Sequence, residues 1–217
     1  MARGEQRGPY AKGVARRAEI LRVALEEYGK ADRQGASLKQ IADSVGLTEA
    51  GVLHYFDSKD DMLLSVLAAR DRVAEETFDL DSWDGIYDAL RRTYETPGQV
   101  TLFVEMMAAA MNPAHPAHDF MTTRNAELQA RLQQLIGPAA DDGWLPRILV
   151  AVVEGLQLQW LRDGDVDVVA DTQRLTETLV KSARRRPRAT KATANAEAPR
   201  PERPSSPSTT RTARTAS

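Results

Sequence analysis

The side chains best suited to chemistry lie between Ser37 and Leu63, where polar groups follow a tight turn. Lys59 offers a positive charge to a phosphate, and Glu49 can accept a hydrogen bond from the N4 amino group of cytosine. Small residues after Thr48 let the start of a helix approach a nucleic acid closely. Thr48 is also a good N-cap, and the helix dipole alone favours an acid at position 49, so both residues have a purely structural interpretation.

Two short helices must position these groups. Ser37 and Gln40 have the spacing of a capping box, Gly46 suits a turn, and Thr48 caps the next helix. Ser58 with Asp61 repeats the capping pattern and begins a longer helix. The pattern predicts a helix-turn-helix whose buried residues are Ile41, Ala42, Val45, Leu47 and Val52.

Helical periodicity dominates the rest of the chain up to about residue 186, and no strand pattern is convincing. The first helix is expected to bury Val14, Ala18, Leu21, Leu25 and Tyr28, which fall at 4-3-4-3 spacing. We predict an all-α fold of nine helices. The five helices after the longer one are expected at about 83–94, 100–111, 116–136, 145–161 and 168–182.

The net charge of −2 hides three unlike regions. Basic and acidic side chains number ten and eight in residues 1–59, nine and 21 in residues 60–180, and ten and two in residues 181–217. The acidic middle would repel a nucleic-acid backbone, so it is expected to bind something else. We expect a flexible basic arm at 1–9, a helix-turn-helix domain at 10–58, a second helical domain at 59–186 and a disordered basic tail at 187–217. The tail is either a solvated end or an arm that attracts nucleic acid without regard to sequence.

Composition excludes several other classes of protein. The chain has no cysteine, which removes disulfides and cysteine-ligated zinc. No apolar run approaches the roughly 18 residues of a spanning helix, and the basic N-terminus lacks the apolar stretch of a secretory signal. A cytoplasmic location is therefore expected.

The run from Ser37 to Leu63, with Thr48, Phe56 and Lys59 at their spacing, resembles the DNA-binding domain of TetR-type (tetracycline-repressor-like) regulators. The resemblance is specific over about residues 10–70. It implies an all-helical homodimer that represses transcription until a small molecule binds its C-terminal domain. Leu53 stands where many members have a tyrosine that touches the DNA backbone. With the basic residues of the first helix, the residues expected to contact DNA are Lys12, Arg16, Ser37, Thr48, Glu49, Ala50, Gly51, Leu53, His54, Tyr55 and Lys59.

The second domain is expected to hold an effector and a partner subunit. Residues 100–111 are apolar on nearly every side, which is typical of a buried helix, and their methionines (Met111 among them) would make an adaptable lining. Glu105 would be a rare polar group that orients a ligand. The other interpretation of these residues is an ordinary core. The expected ligand-binding residues are Tyr87, Tyr94, Phe103, Glu105, Met106, Met107, Phe120, Met121, Gln157 and Trp160.

Residues 145–161 are apolar on more than one face and would pair with the last helix in a four-helix dimer interface, as the resemblance implies. The expected interface residues are Leu149, Val152, Val153, Leu156, Leu175 and Leu179.

Metal binding and catalysis have little support in the sequence. His115 and His118 could join Glu105 as ligands, but Pro116 favours a helix start there, and no Ser/His/Asp arrangement is discernible, so no metal, cofactor or catalytic residue is expected. The expected function is a dimeric regulator, most simply a repressor, that binds a near-palindromic DNA operator and is released by a small, mostly apolar effector. A constitutive DNA-binding regulator, an activator, and an enzyme or carrier using the helical pocket remain as alternatives.

Overall fold

The fold was obtained as a computed structural model, which describes residues 9–137 and 143–185. These residues form an all-α fold without strands, as the sequence predicts. The helices are α1 Pro9–Lys30, α2 Leu38–Ser44, α3 Glu49–Leu53, α4 Lys59–Thr77, α5 Trp83–Tyr94, α6 Pro97–Ala109, α7 Ala117–Ile136, α8 Trp144–Asp163 and α9 Val168–Arg185. No described helix is long and apolar enough to cross a membrane.

Serine and threonine caps set the start of the short helices. Ser37 and Gln40 form the predicted capping box at α2, and the hydroxyl oxygens of Thr48 and Ser58 accept hydrogen bonds from the backbone N–H groups of Gly51 and Asp61. Each cap satisfies a backbone donor that the first helical turn leaves free. The local sequence therefore fixes where α2, α3 and α4 begin.

Helices α1–α4 share one hydrophobic core with α6 and the start of α7, which we call the first core. Ile20, Ile41, Val52 and Met62 are completely buried in it. Leu102, Phe103, Met106, Ala117 and Met121 complete it from the α6–α7 side. The helix-turn-helix is thus held by helices that come later in the chain, and the first half of α4 packs with α1–α3 although it lies beyond the expected boundary at residue 58.

A second core joins the end of α7 to α8 and α9. Its buried members are Leu132, Ile136, Leu145, Leu149, Val150 and Val180, and Trp83 and Ile86 of α5 pack against it.

The end of α1 and the start of α6 are in close contact. A Cβ on Gly98 would lie 2.6 Å from the carbonyl oxygen of Tyr28 and 2.8 Å from the Cβ of Ala31, so only glycine fits there. The Thr101 hydroxyl donates a hydrogen bond to the Arg33 carbonyl oxygen at 2.7 Å. The guanidinium of Arg33 in turn lies 4.9 Å from the Trp160 ring centroid. These contacts link α1 to α6 and α8.

Some burial predictions are wrong. Val14 is 54% exposed, Ala18 is exposed, and no residue from Tyr10 to Glu19 is buried, because the first turns of α1 have no neighbouring helix over their apolar side chains. Burial on α1 begins at Ile20, one position away from the predicted stripe. Met111 lies past the end of α6 and is 81% exposed. Residues 1–8 of the expected basic arm, and the expected tail at 187–217, lie outside the described residues, and Pro9 begins α1.

Candidate DNA interface and ligand cavity

The turn between α2 and α3 is built on Gly46, whose φ of 68° lies in the left-handed region that opposes a Cβ. Its N–H donates to the Asp43 carbonyl oxygen at 3.2 Å, and the N–H of Leu47 donates to that of Ala42 at 2.9 Å. Ile41, Ala42, Val45 and Val52 are buried between the two helices, with Leu47 packed against them. The predicted helix-turn-helix is confirmed, and its predicted buried residues are buried except Leu47, which is half-buried.

The turn leaves one side of α3 open to solvent. Thr48, Glu49, Ala50 and His54 are exposed, whereas Gly51, Leu53 and Tyr55 are half-buried. Thr48 Oγ1 accepts a hydrogen bond from Gly51 N at 3.0 Å, and a Cβ at Gly51 would lie only 3.2 Å from that oxygen, so the small residue preserves the cap. The exposed start of α3 is free of bulky side chains, as close approach to a base pair requires.

The two lysines expected to contact DNA, Lys59 and Lys12, form no ion pair within the described residues. Lys59 is the first residue of α4, directly after its Ser58 cap, and Lys12 lies on the exposed first part of α1. Both ammonium groups are exposed and suited to phosphates. Ser37 is exposed too, but its hydroxyl is engaged with Gln40 in the cap of α2.

Arg16 has a structural role that the sequence did not reveal. Its Nη2 donates to the Val45 carbonyl oxygen at 2.6 Å, and its Nη1 pairs with Glu19 at 2.6 Å. Val45 is the C-cap of α2, so Arg16 ties α1 to the turn. The guanidinium predicted to contact DNA is thus occupied within the protein.

A cavity of about 970 Å³ lies between the first and second cores. Phe103 of the first core lines one side, and Leu132, Leu149 and Val150 of the second core line the other. Trp83, Ile86, Tyr87 and Val153 add further apolar surface. A cavity of this size with mostly apolar walls is typical of a small-molecule site.

A charged cluster occupies one part of the cavity wall. Asp71 accepts hydrogen bonds from Arg124 Nε at 2.7 Å and from Arg70 Nη2 at 3.0 Å. Burial alone would raise the pKa of Asp71, but the two guanidinium groups together hold it below its ordinary value. Burial lowers the pKa of Arg70. Both guanidinium groups lie over Phe103, with centroid distances of 5.5 Å for Arg70 and 4.9 Å for Arg124.

Comparison with known proteins agrees with this geometry. The model of the family described as bacterial regulatory proteins, tetR family, matches residues 20–66, from the middle of α1 into α4. The chain belongs to the tetR family. It is similar to the HTH-type transcriptional regulator SrpR of Pseudomonas putida, with 24% identity over 169 residues, covering 71% of this chain and 79% of that protein. No solved structure matches it. The protein is a tetR-family DNA-binding transcriptional regulator.

Three of the ten residues expected to bind an effector line the regulator's cavity, namely Tyr87, Phe103 and Gln157. Glu105 is exposed on α6, so its expected position inside the cavity is wrong. Met106 and Met121 are buried in the first core, where Met107 and Phe120 also pack. Tyr94 and Trp160 contact each other edge to face at 5.0 Å, outside the cavity lining. On α6, Phe103 faces the cavity, whereas Met106 and Met107 pack in the first core.

The residues expected at a dimer interface lie in different environments. Leu149 and Val153 line the cavity, and Leu149 is only 3% exposed, so it faces its own chain and not a partner. Leu175 and Leu179 pack against the second core. Val152 and Leu156 are half-buried. The outward face of α8 carries Ala151, Gly155 and the 49% exposed Leu158, and the space around Gly155 is open.

Sequence reasoning missed much of the polar part of the cavity, including Arg70, Asp71, Arg124 and Thr172. A signal was present in α4, where Arg70 follows the buried Leu63 and Leu67 at the spacing of one helix face. A charged side chain that continues an apolar stripe indicates a buried polar cluster.

The histidines of the α6–α7 connection have local partners. His115 Nε2 lies 3.1 Å from Asp60 Oδ2, and its Nδ1 accepts a hydrogen bond from Ala117 N at 3.1 Å. His118 Nδ1 lies 2.9 Å from the Ala110 carbonyl oxygen. Within the described part of the chain, no group of three or more His, Asp or Glu side chains could hold a metal ion. Glu105 therefore does not join the two histidines.

Proposed function

We propose that this tetR-family regulator is a homodimeric repressor that binds a near-palindromic operator and is released by a small, largely apolar effector. The position of the cavity carries the proposal. It lies between the core that holds the DNA-reading helices and the core of α8 and α9. A ligand that fills the cavity would contact both cores and would therefore influence the distance between them.

The operator would be read by the exposed start of α3. Thr48, Glu49, Ala50 and His54 reach base edges, Lys59 and Lys12 bind phosphates, and half-buried Leu53 and Tyr55 support them from below. Two such surfaces, related by a twofold axis, would require half-sites about one DNA turn apart.

The second subunit would pack on the outward face of α8. Ala151 and Gly155 allow a close approach of two helices, and Leu158 supplies apolar area. The exposed face of α9 carries Arg174, Glu177, Thr178 and Lys181, so it would form a polar margin. This arrangement replaces the expected inward-facing leucines as the centre of the interface.

Release requires only that the effector bind one arrangement of the two cores better than the other. A coupling of about 1–3 kcal/mol changes operator affinity by roughly 5- to 150-fold. The Gly98 N–H donates a hydrogen bond to the Ala31 carbonyl oxygen, and the Thr101 hydroxyl donates one to the Arg33 carbonyl oxygen, so α6 is connected to the segment that directly follows α1.

Selection of bound sites from random duplexes, with the full chain, tests the proposal. We expect a near-palindromic site that binds two chains, and a loss of affinity within the range above for at least one compound of a metabolite panel. Failure to select any sequence would overturn the DNA-reading assignment. Selective binding that no compound changes would instead favour a constitutive regulator.

A further inference from the structure

The polar side chains around the cavity have unmet hydrogen-bonding capacity. Among the described residues, five buried side-chain atoms have no well-formed hydrogen bond: Arg70 Nη1, Tyr94 Oη, Asn125 Oδ1, Gln157 Oε1 and Thr172 Oγ1. Arg70, Gln157 and Thr172 line the cavity. Buried polar atoms normally find partners, so this concentration around one cavity indicates a ligand.

Arg70 is the strongest of these groups. Its side chain is 15% exposed, and one of its terminal nitrogens bonds to Asp71 while the other has no acceptor in the described chain. Asp71 already accepts one hydrogen bond from Arg70 Nη2 and two from Arg124, and it accepts none from Arg70 Nη1. Two guanidinium groups therefore share one carboxylate, which leaves one positive charge uncompensated within the cluster.

Two further polar side chains, Tyr94 and Gln157, adjoin this cluster. Tyr94 is close enough for its ionised form to affect the pKa of Arg70, and its hydroxyl lies toward the side chain of Gln157. Both are buried or half-buried, as is Glu154, whose Oε1 accepts a hydrogen bond from Asn125 at 3.3 Å. Glu154 on α8 thus has a hydrogen-bond donor in Asn125, whereas Nη1 of Arg70 on α4 has no acceptor.

Part of the cavity wall is apolar, although further charged side chains, among them Glu75, Glu127 and Arg131, also line it. Tyr87, Trp83 and Leu149 surround space beyond the ring of Phe103, against which both arginines lie. A neutral, purely apolar molecule would fill this space but leave Arg70 dehydrated and unpaired. An acid group on the same apolar body would supply the missing acceptor.

We propose that the cavity binds amphipathic organic acids, with the anionic group paired to Nη1 of Arg70 and the apolar body against Phe103 and the second core. The inference rests on the proposed function, because it names the chemical class of the effector. It narrows the proposed class of effector from largely apolar molecules to apolar molecules with a single acidic end.

Calorimetry on the full chain with three compounds of equal chain length tests the inference. Decanoate, 1-decanol and decylamine share an apolar body and differ in the charge at one end. We expect decanoate to bind about 10- to 100-fold more tightly than decanol, the range of a charge-assisted hydrogen bond, and decylamine to bind most weakly. Equal binding of acid and alcohol, tighter binding of the amine, or no binding of decanoate at millimolar concentration would overturn it.

A pair of arginine variants locates the contact. Arg70→Gln should remove the preference for decanoate over decanol, while Arg91→Gln should leave it unchanged. Arg91 lies outside the cavity lining, is 54% exposed and pairs with Asp88. A preference that survives Arg70→Gln would overturn the assignment to Arg70. The ligand series on the unmodified protein decides the chemical class even if the Arg70 variant folds poorly.

Operator binding in the same samples separates this inference from the proposed function. If decanoate binds through Arg70 without changing operator affinity, the acid site stands and release by this class of ligand fails. If decanoate does not bind while the operator is bound selectively, the acid site fails and the DNA-reading role stands.

Discussion

The guanidinium of Arg16 donates a 2.6 Å hydrogen bond to the carbonyl oxygen of Val45, joining α1 to the turn that orients the recognition helix. Val45 is the buried C-cap of α2, and its carbonyl oxygen is one that the end of the helix leaves without an intrahelical partner. The orientation of α3 therefore depends on α1 as well as on α2.

Replacing Arg16 by alanine should lower the free energy of unfolding by about 1 kcal/mol, because the carbonyl oxygen loses a charged donor at a partly exposed site. Urea denaturation measures the change. Lys12→Ala, on the exposed part of the same helix, should stay within about 0.5 kcal/mol of the parent. If the Arg16 variant is as stable as the parent and its DNA binding depends less on salt, Arg16 binds a DNA phosphate and does not stabilise the turn.

Lys59→Ala should weaken binding to all duplexes by a similar factor, since a phosphate contact carries no sequence information. The slope of log affinity against log salt should flatten by about one unit. Fluorescence anisotropy at several salt concentrations measures both. Lys181→Ala removes an exposed lysine from α9, where it pairs with Glu177, and should change neither quantity. A loss confined to one sequence would contradict the assignment.

Leu158→Glu should convert the proposed dimer to a folded monomer, because it places a charge on the outward face of α8 around Leu158. Light scattering after size-exclusion chromatography gives the mass, and circular dichroism checks the helices. Ala126→Glu introduces the same charge on the exposed side of α7 and should leave the dimer intact. Persistence of the dimer in the Leu158 variant would move the interface away from this face.

Stability should fall above pH 10 through Tyr28. Burial, assisted by the negative charge of Glu105, raises the pKa of Tyr28 from 10.0 to about 12. Between these values the unfolded chain releases the phenolic proton and the folded chain retains it, so rising pH favours unfolding. The parent should lose up to about 2 kcal/mol more than Tyr28→Phe between pH 9 and pH 12.

Denaturation curves at several pH values measure this difference. Tyr10→Phe is the matched control, because Tyr10 is 86% exposed and its replacement should leave the pH profile of the parent unchanged. Identical profiles for the parent and Tyr28→Phe would show that the Tyr28 phenol ionises equally in both states.

Local signals explain how much of the fold could be predicted. The caps at Ser37, Thr48 and Ser58 each act within four residues, so the helix-turn-helix could be predicted from the sequence without knowing its neighbours. The same holds for the exposed residues at the start of α3, which follow from the turn at Gly46.

The cavity could not be predicted in the same way, because its lining depends on how distant helices rotate. Phe103 and Glu105 are two residues apart on an apolar helix, yet one lines the cavity and the other faces solvent. Leu149 was expected at a subunit interface because α8 is apolar on several faces, and packing against α7 turned it inward. Arg16 donates a hydrogen bond to the Val45 carbonyl oxygen, 29 residues away, and helical periodicity cannot predict a contact at that separation.

The first core has a consequence for building hybrid regulators. Its residues run from Ile20 to Met121, so the segment that reads DNA shares its interior with α6 and α7. A junction after residue 58 would separate side chains that pack together in this core. Met62 and Leu67 would then pack against residues of a different protein. Joining this helix-turn-helix to the C-terminal half of another regulator would therefore require redesign of the shared core, because residue 58 does not lie in a linker between separate cores.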